Sequence, residues 1–140
     1  MKYSFTFDPH KKGVRKILGD LEADIMEVAW LKPTLTVRDV FVELKRNREI
    51  AYTTVMTVMT RLAEKGLLNK VKKGNAFVYN ASKSKDEFTK STIKKVITEL
   101  LTDFSTPAIS QFIDSIDDSQ PEKMDEFAKI IEEKRKKKNV

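Results

Sequence analysis

The sequence predicts a mainly α-helical chain with one small antiparallel β wing. Three observations predict it. Apolar residues recur at helical spacing in one segment after another. Two short runs flank Gly74-Asn75, a pair suited to a tight reversal. Capping residues, Gly and Pro fall at the joints between the periodic segments.

Residues 1–17 read as an extended arm with a basic cluster, Lys11, Lys12, Arg15 and Lys16. The first helix is expected from about Asp20 to Trp30, where Leu18, Leu21, Ile25 and Val28 share one face. Asp20, Glu22 and Asp24 sit near its start, where the helix dipole favours negative charge, and Lys32-Pro33 ends it. A second helix follows Thr36, which pairs with Asp39 as a capping box, and buries Val37, Val40, Phe41 and Leu44. A third spans roughly Tyr52 to Lys65 with Val55, Val58, Met59 and Leu62 turned inward, and Gly66 sits where a left-handed C-cap falls. Leu67–Lys73 and Ala76–Asn80 then form the hairpin strands.

Beyond residue 82 the pattern is helical again. Ser84 with Glu87 starts a stripe of Ile93, Val96, Ile97, Leu100, Leu101 and Phe104. Thr106-Pro107 restarts a helix bearing Ile109, Phe112, Ile113 and Ile116. Ser119 and Glu122 open a last one with Met124, Phe127, Ile130 and Ile131, ending in the polar EEKRKKKNV. The domain expectation is an arm over 1–17, a DNA-binding domain over 18–82 and a three-helix dimerisation domain with a basic tail over 83–140.

Three helices followed by a hairpin is the order of a winged helix-turn-helix, whose third helix enters the DNA major groove. A 100° step per residue places Thr53, Thr57, Thr60 and Glu64 opposite the buried stripe, with Met56 and Arg61 beside them. Short Thr side chains allow close approach, and their methyls can meet thymine methyls. Lys70, Lys72 and Lys73 would put charge on the phosphates. The plainer alternatives are a solvated Thr face and a lysine-guarded strand edge. Charge favours a polyanion. Residues 1–82 hold 15 Lys/Arg against 9 Asp/Glu, a net +6, whereas residues 83–140 hold 12 of each.

The third-part stripes Val96, Ile97, Leu100, Leu101, Phe104, Ile109, Phe112, Ile113, Ile116, Phe127, Ile130 and Ile131 suit a homodimer, because so small a helical unit buries little alone. The alternative is that they fold back on the winged helix of the same chain. An enzyme is not expected. His10 is the single histidine, four glycines make no phosphate loop, and the absence of Cys excludes thiolate chemistry and Cys-based metal sites. No cofactor and no metal are expected. With no signal peptide or membrane-length apolar run, the reading is a cytoplasmic protein without a membrane partner.

The stretches LGDLEADIMEVAW (18–30), LTVRDV (35–40), AYTTVMTVMTRLAEKGLL (51–68) and KKGNAFVYNA (72–81) together resemble the penicillinase-repressor family of the BlaI/MecI type. The resemblance implies a repressor that binds a dyad-symmetric operator in double-stranded DNA as a homodimer. It implies base reading at Thr53, Thr54, Met56 and Thr57, with Arg61 beside them. Two family devices lack their residues here. One branch senses copper through a Cys-rich tail, and this chain has no Cys; another is cleaved at an Asn-Phe bond, and this chain has no such pair. The rival reading is a winged-helix module that binds another protein rather than a DNA sequence.

Overall fold

The computed structural model describes residues 7–139. Part of the expected arm, residues 1–6, lies outside the described residues, as does Val140. The elements run α1 (Asp20–Leu31), α2 (Val37–Lys45), α3 (Tyr52–Glu64), β1 (Leu68–Lys73), β2 (Ala76–Ala81), α4 (Lys85–Ser119) and α5 (Met124–Lys138), with 3₁₀ turns at Gly13–Lys16 and Pro121–Lys123. Two compact units divide the chain, Met1–Thr92 and Ile93–Val140.

The first unit holds the core. Val55, Met59 and Leu62 of α3 are fully buried with Ile25 of α1 and Val40 of α2. The buried face of α1 is broader than its large apolar residues suggest. Ala23, Ile25, Met26 and Ala29 are buried, while Leu21 and Val28 only flank the cluster. α1 packs against α2, α3 and β2, so more than one of its sides is covered, and small residues sit where backbones come close.

Thr36 caps α2 as a reciprocal pair. Asp39 N–H donates to Thr36 Oγ1 at 3.1 Å, and Thr36 N–H donates to Asp39 Oδ2 at 2.9 Å. The bond from the Thr36 backbone holds the Asp39 carboxyl below its ordinary range. After α3, Gly66 takes φ +86 and the chain turns into β1.

β1 and β2 pair antiparallel from Leu68↔Ala81 to Lys73↔Ala76, so Gly74-Asn75 is a two-residue turn. Gly74 alone of that pair takes positive φ, +62, as the first position of a type II′ turn requires. Asn75 does not use the left-handed freedom that the sequence offered. An isolated bridge, Leu35↔Tyr79, ties the loop before α2 to β2 and makes a third partial strand.

The leading segment is not extended. Asp8 N–H donates to Lys16 O at 2.7 Å, which closes residues 8–16 into a loop, and Val14 of the 3₁₀ turn is buried in the core. The segment folds back where the core has a place for Val14 beside Leu18, and ion pairs from Lys11 and Arg15 to Asp20 and Asp24 hold it there. The first turns of α4 also belong to this unit. Phe88 packs 5.7 Å from Trp30, whose indole N–H donates to Lys83 O.

In the second unit, α4 breaks at Phe104, with φ −138 and ψ 48. Pro107 explains the break, since its ring collides with the carbonyl four residues earlier. No helix among the described residues is long and apolar enough to cross a membrane.

Thr36→Ala is expected to cost about 1 kcal/mol in denaturant unfolding. The Asp39 carboxyl titrates lower folded than unfolded. Its share of stability is therefore complete above its ordinary value of 3.8 and is lost as pH falls through the folded value. The difference between wild type and Asp39→Asn should accordingly shrink as pH falls below 3.8 and through the lower folded value.

Candidate nucleic-acid interface

The exposed face of α3 follows from its buried one. With Val55, Val58, Met59 and Leu62 inward, Thr53, Thr54, Met56, Thr57 and Arg61 are exposed and Thr60 is half-buried. Thr57 Oγ1 donates to Thr53 O at 2.9 Å. Its proton is thus spent inside the helix, and its oxygen lone pair and methyl remain for a partner.

A groove of about 680 Å³ runs between α3, the start of α2 and the wing. Met56, Thr57, Thr60, Arg61 and Glu64 line it from α3, Arg38 from α2, and Lys70, Phe77 and Tyr79 from the hairpin. Thr53, Thr54, Lys72 and Lys73 lie outside it.

The strand register sorts the wing lysines. Directly paired residues share a face, so Lys70 and Lys72 lie with Tyr79 and Phe77, the face that carries the groove residues. Lys73 pairs with Ala76 and points to the opposite face with Val71. The three lysines do not form one patch. Lys70 is further held in place, with Nζ 4.4 Å from the Phe77 ring centre and 5.9 Å from that of Tyr79. The rings keep the amine over the groove.

Arg38, Tyr52 and Phe77 were not apparent as site residues from the sequence. Phe77 had a usable signal. A two-residue turn at Gly74-Asn75 pairs it with Lys72, and so places it on the groove side. Arg38 and Tyr52 had none, because only the packing of α2 against α3 brings them to the same groove.

The acidic residues of α1 are not a merely solvated face. Glu22 meets Lys65 at 3.1 Å, Asp24 meets Arg48, and Glu27 meets Lys85 at 2.7 Å. The basic cluster of the arm is likewise engaged. Lys11 meets Asp20 at 2.9 Å, Arg15 meets both Asp20 and Asp24, and Lys16 Nζ donates to Lys11 O. Among the described residues no group of three or more His, Cys, Asp or Glu could hold a metal.

In the second unit the expected dimerisation residues stay uncovered by their own chain. Val96, Ile113, Ile116 and Phe127 are half-buried. Ile97, Leu100, Leu101, Phe104, Ile109, Phe112, Ile130 and Ile131 are 38–59% exposed. Many of them line an apolar hollow of about 580 Å³, where the Phe112 and Phe127 rings meet edge to face at 5.8 Å.

Three helices, a β-hairpin and a basic groove between the third helix and the hairpin define the winged-helix class. Residues 18–133 match the family described as penicillinase repressor, and the chain belongs to that family. The transcriptional regulator BlaI of Mycobacterium tuberculosis is 42% identical over 71 residues, which cover 50% of this chain and 51% of that protein. The match thus spans about half of that relative's length. The penicillinase repressor of Bacillus licheniformis is 24% identical over 121 residues, covering 86% of this chain and 94% of that protein. The solution structure of the DNA-binding domain of the repressor BlaI aligns with 53% of this chain and 89% of its own, at 30% identity and a TM-score of 0.44.

Tyr79 is the wing's anchor, buried and bonded through its backbone to Leu35 in both directions. Tyr79→Ala is expected to destabilise the first unit by about 3 kcal/mol. Hydrogen exchange should speed up most at the β1–β2 amides, and protection left unchanged there would count against this role.

Proposed function

We propose that the chain is a sequence-specific DNA-binding transcriptional repressor that acts as a homodimer. The observation that carries this reading is the groove. It sets the Thr/Met/Arg face of α3 beside a wing lysine whose amine is held in place. α3 is the size and shape to enter a major groove, with Thr53, Thr54, Met56, Thr57 and Thr60 toward the base edges. Arg61 reaches a guanine or a phosphate, and Lys70 and Lys72 reach phosphates. Lys73, on the far face, is the weaker contact. Membership of a family that includes the Bacillus licheniformis penicillinase repressor supports the same role.

The dimer follows from the second unit. Its helices leave a continuous set of large apolar side chains exposed, more than an isolated unit of this size supports. A second copy is the occupant with matching chemistry, and two-fold symmetry would set two α3 helices against a dyad operator. Residues 18–82 are assigned to DNA and residues 83–140 to dimerisation.

DNA from the protein's own upstream region should bind with an affinity that falls steeply as salt rises. Thr57→Ala should reduce the preference for that DNA over random competitor by about ten-fold, whereas Lys72→Ala should weaken both about equally. Absence of binding to any DNA at low salt would favour the protein-interaction reading, for which exposed Met56 and Phe77 are the available anchors. Phe104→Glu should convert the dimer to a monomer in sedimentation. A wild type that sediments as a monomer at every concentration would refute the dimer.

A further inference from the structure

Both ends of α3 are tied to α1 by ion pairs, and one tie is shared with the segment ahead of α1. At the C-terminal end, Lys65 caps α3 and Glu22 holds its amine at 3.1 Å. At the N-terminal end, Arg48 lies in the turn that leads into Tyr52, and its Nη1 donates to Asp24 Oδ2 at 2.5 Å. The second oxygen of Asp24 accepts from Nη2 of Arg15. Nη1 of Arg15 donates at 3.1 Å to both the backbone oxygen and Oδ1 of Asp20. One carboxylate therefore stands between two guanidinium groups that would otherwise repel each other.

The Arg15 side of this bridge comes from a segment that precedes the family match, which begins at residue 18. That segment is fixed in place. Val14 is in the core, Asp8 N–H closes the loop onto Lys16 O, and Lys11 binds Asp20 from the other side. Arg15 is thus presented to Asp24 on an anchored backbone, not on a loose tail. Hydrogen bonding to Asp24 raises its pKa further, and Asp20 is lowered first by Lys11 and then by Arg15.

We propose that Asp24 is a positioning residue for DNA recognition, which couples Arg15 of the leading segment to Arg48 and thereby sets the entry of α3. The proposal rests on the reading of α3 as the DNA-reading helix. Each guanidinium is paired with a carboxylate, and that carboxylate orients the turn before α3. The pairs are partly exposed, so their effect on stability is small, while base reading tolerates displacements of only about 0.5 Å.

The test combines Asp24→Asn, Arg15→Gln and Asp24→Glu in the full chain. Asp24→Asn removes one negative charge, so net charge alone predicts tighter binding to operator and competitor DNA alike. The expected result is the opposite for the operator. Its affinity relative to competitor falls about five-fold or more, with the melting temperature within a few degrees of wild type. Asp24→Glu restores part of the preference.

A second readout needs no DNA. Amide shifts of residues 48–54 in the free protein should move on Arg15→Gln, although Arg15 is more than thirty positions away in sequence. Unmoved amides there, or an unchanged operator preference in Asp24→Asn, would overturn the proposal. So would an Arg15→Gln variant that binds operator and competitor equally more weakly with a shallower salt slope, the signature of a direct phosphate contact. A wild type without any DNA preference would instead overturn the DNA reading, and the amide shifts alone would then decide whether the tie exists.

Discussion

Burial of one side of α3 is the constraint on which the first unit depends. Val55, Met59 and Leu62 lose all contact with water, and α1, α2 and the hairpin close around them. An α-helix with one face fully buried has no choice about the other. Thr53, Thr57 and Arg61 face outward because the helical period sets them on the far side from the buried stripe of Val55, Val58, Met59 and Leu62. The chemistry proposed to meet DNA is thus a by-product of where the core is. The wing is subject to the same core, since Tyr79 enters it from β2 and carries Phe77 and Lys70 to the groove.

Charge does the finer work. Among the described residues the groove holds no ion pair, and its Lys70 is held by softer means. Lys70 rests on two aromatic rings, which orient the amine without neutralising it. Glu22 and Asp24 pair with bases along α1, behind α3. This division leaves Arg38, Arg61 and Lys70 on the groove, the face proposed for a polyanion, and spends Glu22 and Asp24 on fixing the helix. A protein that reads bases needs both, because phosphate attraction alone does not specify register.

The second unit follows a different rule. It has no buried side chain among its described residues, and its large apolar groups are about half exposed. Forty-odd residues broken at Phe104 by Pro107 cannot enclose a core. The same apolar stripes that would weaken an isolated unit are what a symmetric partner would cover.

The order and type of the elements were legible in the sequence because they depend on neighbours along the chain. The stripe from Val55 to Leu62, the Thr36–Asp39 cap, the Gly66 stop and the Gly74 turn each act within a few residues. The candidate α3 residues were legible for the same reason, since one helical period relates the buried face to the exposed one. What only the tertiary structure decided involves residues far apart in sequence. The depth of Ala23 and Ala29 depends on which helices converge on α1, and small side chains carry no periodic signal. The separation of Lys73 from Lys70 and Lys72 needed the strand register. The partners of Glu22 and Asp24 were set by the fold, because a carboxylate near a helix start is equally suited to the helix dipole and to a cation, and only the docked positions of Lys65, Arg48 and Arg15 choose between them.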